Sequence, residues 1–205
     1  MTAPATSGVR VLPLLFVIQF FSWSAMFCLW VYAVPTVAEG SATSASYLSA
    51  ATTVAICFSL YALFGTILSF AVPGLIRRFD AGRVHGCALL AGGGAIAALG
   101  MHPAGLMLLL TFASVGIAWA SLSSIPYALV SATAPEGQGA RRVRLFAFST
   151  VLPQVVTTLI LAMLAPAFSD RHASLVMFAG GAAMALAGVI ALLFHRRLAI
   201  DIPDW

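Results

Sequence analysis

The sequence contains no lysine, only three cysteines and only six acids, and each shortage closes off a class of protein. Charged residues make up 8% of the 205 and hydrophobic ones 61%, whereas soluble domains carry about 25% charge, so a soluble fold is excluded. Cys28, Cys57 and Cys87 all lie in apolar runs, and an odd set there offers no disulfide framework. Glu39, Asp80, Glu136, Asp170, Asp201 and Asp204 fall in the loops or tails of the apolar pattern. His85, His102, His172 and His195 fall at the ends of its runs. No carboxylate or imidazole is therefore expected at mid-membrane to carry a proton. There is no His-Glu-x-x-His and no Gly-x-Ser-x-Gly, and no buried acid or histidine to activate Ser123 or Ser124, so catalysis is set aside. No cofactor and no metal are expected.

What fills the chain instead is apolar sequence in membrane lengths. About 20 residues cross about 30 Å of hydrocarbon, and a window of that size predicts six helices near 11–37, 47–73, 84–101, 104–132, 145–166 and 173–195. They form a single all-α bundle over 1–205. Pro35 and Gly40, Pro73 and Gly74, His102 and Pro103, Pro135 to Gly139, and Pro166 to Asp170 punctuate the joins. The third and fourth runs are so close that they must form a tight hairpin. The first eight residues are short and polar, and the run that follows is too long for a cleavable leader.

Charge orients the bundle. Nine of the ten arginines (Arg10, Arg77, Arg78, Arg83, Arg141, Arg142, Arg144, Arg196 and Arg197) fall at the start or after the second, fourth and sixth runs. Six crossings bring those places to one side, and only Arg171 lies opposite, so both termini are expected in the cytoplasm of an inner (plasma) membrane protein. The net charge of +4 is a topology signal, and nucleic acid is not an expected partner.

The stretch from Gly116 to Gln154 departs most from plain hydrocarbon. Its two apolar arms carry Pro126 and Pro153, which free the carbonyls of Leu122 and Ser149, a cost of several kcal/mol in lipid unless a hydroxyl, another helix or water answers it. Ser121, Ser123 and Ser124 are placed to seal one of them. The arms read either as sealed kinks or as hinges lining a polar cavity. At about 100° per residue, Gln19, Trp23, Met26 and Trp30 share a face of the first helix, and Thr52, Ser59 and Thr66 one of the second. Trp119, Ser123 and Tyr127 share a face of the fourth, and Thr150, Gln154, Thr157 and Thr158 one of the fifth. The third and sixth runs carry almost no polar side chain, so those two helices are expected to face lipid. That spacing reads as a 3+3 repeat, the plan of many carriers.

A cavity walled by hydroxyls, amides and indoles suits a small neutral solute, because aromatic faces stack on a sugar ring while amides and hydroxyls bond its OH groups. The candidate binding residues are Gln19, Trp23, Trp30, Thr52, Ser59, Trp119, Ser123, Tyr127, Thr150 and Gln154. Trp30 serves equally as an interfacial anchor, Trp23 and Trp119 as packing, and the two amides as bonds to neighbouring helices.

Ser124 to Leu129 (SIPYAL), Gly137 to Gly139 (GQG) and Pro153 with Gln154 follow one another as in the sucrose and glycoside cation symporters of the major facilitator superfamily. The chain resembles the second, six-helix half of those carriers. Gln19 to Trp23, with Trp30 and Tyr32, is similar to that half's first helix, and Leu75 to Phe79, with Gly82 and Arg83, to the basic loop after its second. The match covers nearly the whole chain and half of the family's usual length. An asparagine usual seven residues before the paired glutamine is Ala147 here. The resemblance implies half of a sugar carrier. It casts Arg77, Arg78, Asp80 and Arg83 as a gate loop, beside the plainer reading of a positive-inside anchor. Because coupling acids typically belong to the other half, it also implies an uncoupled facilitator.

Alternating access needs two bundles. Two parallel copies related by an axis along the membrane normal supply them, so a homodimer is expected. A separate N-terminal half is the rival partner, and a non-transporting membrane subunit the rival function.

Overall fold

The computed structural model describes residues 6–40, 47–164 and 172–199, and side chains within 11–40, 49–164 and 173–199. Arg171, Asp170, Asp201 and Asp204 lie outside the described residues, as do the side chains of Arg10 and His172. A long apolar run with no water to bond its amides must satisfy them internally, and a helix is the only unpaired segment that does so. The described chain accordingly folds as α1 (Thr6–Glu39), α2 (Tyr47–Phe79), α3 (Ala81–Leu99), α4 (Gly105–Ala132), α5 (Gly139–Leu164), α6 (His172–Leu193) and the single turn α7 (His195–Leu198). Six of these are long and apolar enough to cross a membrane, and the protein is an integral membrane protein.

Helices α1 and α2 overrun the expected ends. Pro35 and Pro73 do not stop them but lie inside, with Arg77 and Arg78 forming the last turn of α2. The reason is local: proline costs one hydrogen bond but holds a helical φ, and Thr36 Oγ1 adds a bond back to the Tyr32 carbonyl at 2.7 Å. Between α3 and α4 the chain turns at once, with His102 in the left-handed region at φ 55°.

The expectation that α3 and α6 are the lipid-facing helices fails. In the apolar stretch of α3, 56% of residues are buried, against 22% in α2 and in α5. Two rows of glycine explain it. A Cβ on Gly93 would stand 2.8 Å from the Gly181 carbonyl, and one on Gly86 would stand 2.9 Å from that of Gly188. Small residues let membrane helices approach backbone to backbone, so a run without polar groups serves helix packing as well as it serves lipid. Gly65 and Gly116 bring α2 against α4 in the same way, a Cβ on Gly116 falling 2.7 Å from the Tyr61 carbonyl.

Besides α3 with α6, the main packing pairs are α1 with α6, α3 with α4, α2 with α4 and α1 with α5, with lighter contacts of α1 with α2 and α4 with α5. The exposed sides of α2 and α5 carry large apolar groups: Ile56, Leu63, Ile67 and Phe70 on one, Phe148, Leu152, Val155 and Leu159 on the other.

Each end of the bundle is tied by polar groups. At the arginine-rich end Asp80, at φ 71°, caps α3 by accepting the Arg83 N–H at 2.8 Å. Its other oxygen lies 3.4 Å from Arg83 Nε and 3.3 Å from His195 Nδ1. At the opposite end Glu39 belongs to the last turn of α1 and not to a loop. Its carboxylate accepts the N–H groups of Ala173 and Ser174 at 3.0 and 3.2 Å, which places an anion at the positive end of α6. Ser174 Oγ is 3.0 Å from both Glu39 Oε2 and His102 Nε2, and His102 Nδ1 donates to the Thr36 carbonyl at 3.1 Å.

Candidate functional site

Three tryptophans meet where α1 crosses α4. Trp23 and Trp30 lie two turns apart on one face of α1, and their rings stand edge-on to each other at 5.8 Å and to Trp119 of α4 at 5.7 and 5.8 Å. Edge-to-face contact is the geometry that the ring quadrupole favours. Tyr61 of α2 joins from the third side, 5.8 Å from Trp119, and continues through Phe58 to Phe112.

One turn before Trp23 on the same face stands Gln19. It is fully buried, and neither its amide oxygen nor its amide nitrogen has a hydrogen-bond partner; the Trp23 indole N–H is likewise unmet. An unpaired buried amide costs on the order of 1–3 kcal/mol, and few such groups persist in folded proteins. These donors and acceptors are what a ligand's hydroxyl groups, or water, would satisfy.

The other candidate residues divide. Tyr127, on the Trp119 face of α4, packs 5.5 Å from Phe146 of α5, which in turn meets Phe16 of α1. Ser123 bonds the Trp119 carbonyl at 2.7 Å and Ser59 that of Ala55 at 3.0 Å. Thr150 bonds the carbonyl of Ala147 at 2.8 Å, and Gln154 is half-buried. Thr52 and Ser59 are exposed, nine and two residues before Tyr61, which at 100° per residue puts them on the opposite side of α2 from the aromatic cluster. The structure therefore groups Trp23, Trp30 and Trp119 with Gln19 one turn away, sets Tyr127 about two turns further along α4 against Phe146, and leaves Thr52 and Ser59 exposed on the far side of α2.

Pro126 and Pro153 are buried, but the serines do not seal the carbonyls they free. Ser123 and Ser124 bond the carbonyls of Trp119 and Ala120, while Ser121 turns to α3. There its hydroxyl lies 2.7 Å from His85 Nδ1, and His85 is fully buried with Nε2 unmet. His85 lies in the second turn of α3, near a helix end as expected, but its burial corrects the expectation that no histidine is buried. Arg83, two residues earlier, masks His85 in the sequence, yet Ala81, Gly82, His85, Gly86 and Leu89 share one buried helical face, a spacing that identifies it. Tyr61 was missed for a similar reason: its face of α2 is marked by Gly65, not by hydroxyls.

Of the residues expected to form a gate loop, Arg77, Arg78 and Arg83 are exposed, and Asp80 lies 3.3 Å from His195 at the start of α7. Among the described residues no three His, Cys, Asp or Glu side chains are grouped to hold a metal ion. No protein-family model, curated protein or solved structure matches the chain.

Proposed function

We propose that this six-helix unit is one half of a carrier of the major facilitator type. Paired with a second copy, it moves a neutral, hydroxyl-rich solute such as a sugar or glycoside by alternating access, with both termini in the cytoplasm. The observation that carries this reading is the packing pattern. Exchanging α1 with α4, α2 with α5 and α3 with α6 turns the α1–α6 pair into α4–α3, α2–α4 into α5–α1 and α1–α2 into α4–α5, and leaves α3–α6 unchanged. That is the pattern expected of a 3+3 repeat, the plan on which many carriers are built.

Two further features support it. The helices that carry the Gln19, Trp23, Trp30 and Trp119 cluster are α1 and α4, related by that exchange, which supports a site between the two triplets. The outward sides of α2 and α5 mix large apolar residues with Thr52, Ser59, Thr66 and Thr158, a surface suited to another helical bundle across a partly wet cleft. Among the described residues no carboxylate bonds to the cluster, which supports facilitated movement without a coupled proton.

Liposomes containing only this protein test the reading. Uptake of a panel of labelled neutral sugars that saturates, is blocked by competing sugar and needs no pH or sodium gradient is the expected result. Absence of uptake from folded, correctly inserted protein counts against it, and uptake only in the presence of a second polypeptide would favour a separate partner half.

A further inference from the structure

A groove of about 640 Å³ lies between α2, α3 and α4, with Leu192 of α6 on its wall; its α4 residues Ile117 and Ser121 lie two residues either side of Trp119, on the opposite side of the helix. It starts near Leu68 and Ile117 and ends at Phe79, Arg83 and His195, with Cys87 on its wall. From Leu68 to Phe79 the helix rises about 16 Å at about 1.5 Å per residue, close to half of the roughly 30 Å hydrocarbon core. The groove is thus as deep as one leaflet. Its walls are apolar apart from Arg83, His195 and Ser121, and the Ser121 hydroxyl is already turned to His85. It opens outward between Leu75, Phe79 and Ile117, each about two-fifths exposed. Hydrogen-bonding capacity is too sparse for a polar solute. The Leu68 and Val72 side of α2 is also distinct from the Leu63, Ile67 and Phe70 side that would face a second bundle.

The end of the groove is basic. Arg83 stands in it, Arg77 and Arg78 form the last turn of α2, and Arg196 and Arg197 follow in α7. Among the described residues of α2, α3, α7 and the turns that join them, the one carboxylate is Asp80, which lies between Arg83 and His195. Clusters of arginine at the membrane surface attract acidic headgroups. We infer that this groove is a binding site for an anionic glycerophospholipid of the arginine-side leaflet: one acyl chain lies between α2, α3 and α4, and the phosphate headgroup rests on Arg83 and the neighbouring arginines.

Native mass spectrometry of the full chain, released from detergent with phosphatidylglycerol or phosphatidylcholine of identical acyl chains, tests the assignment. Phosphatidylglycerol is expected to bind more tightly. Arg77→Gln, Arg78→Gln and Arg83→Gln should each weaken it roughly fivefold with little effect on phosphatidylcholine, and Cys87→Trp, which fills the groove, should weaken both. A measurement on the unaltered protein guards against misfolded variants: phosphatidylglycerol should slow maleimide labelling of Cys87, the one cysteine of three that is exposed. Equal affinity for the two lipids overturns the site. So does phosphatidylglycerol binding that survives Cys87→Trp and leaves labelling unchanged, since the headgroup would then be held elsewhere. Either failure leaves the carrier reading intact, because that reading rests on the helix packing and on the tryptophan cluster, whose residues line no part of the groove.

Discussion

A buried amide with nothing to bond is a liability to the fold, and Gln19 bears it twice over, on oxygen and on nitrogen. If its purpose is to meet a solute, replacing it with an apolar residue of similar length should separate stability from function. Gln19→Met is expected to leave the protein equally stable or about 1 kcal/mol more stable in denaturant titration, while abolishing saturable uptake. A clear loss of stability would mean that the amide is a structural bond. The His85 and Ser121 pair predicts the reverse behaviour. Ser121→Ala strips the one partner from a fully buried imidazole and should cost about 1–3 kcal/mol, whereas adding His85→Leu should restore most of it, because removing both partners avoids the orphan. Thermal unfolding of the single and double variants in one detergent reads both outcomes. That Gln19, Trp23 and Trp30 share one face of α1 was legible in the sequence, because helical periodicity alone sets it. The place of His85 was not, because its burial is made by partners distant in sequence: His195 closing over Gly82, and Leu192 over Gly86.

At the scale of helices, hydrocarbon thickness imposes length, and all six spans were legible to within several residues. The order of burial was not. An uninterrupted apolar run such as that of α3 satisfies lipid and a glycine-lined partner equally well, and only the meeting of Gly93 with Gly181 decides between them. Paired substitutions one residue apart expose this directly. Gly93→Val drives a side chain into the α6 backbone and should destabilise the bundle by about 1–3 kcal/mol or more. Gly94, whose added Cβ would meet nothing within 4 Å, should accept alanine with no loss and a gain of up to about 1 kcal/mol from helix propensity. Comparable losses at both positions, measured by the same unfolding assay, would show that α3 and α6 are not held backbone to backbone.

For the whole molecule, α2 and α5 are the least buried spans of a single chain, each with a row of large apolar side chains broken by hydroxyls. In a carrier made of two such units those rows meet across the pathway, and the tryptophan cluster of each copy lies behind them. Cysteines introduced at Leu63 and Leu159 should then cross-link between chains in native membranes, whereas one introduced at Leu186, on the outward side of α6, should not. Since a pathway between two bundles is the premise of everything proposed for transport, the mass of the protein in mild detergent tests it most directly. A particle of two chains, dissociated by charged substitutions at Leu63 and Leu159, is the predicted result. A stable single chain that yields no inter-chain cross-link in native membranes would contradict the homodimer.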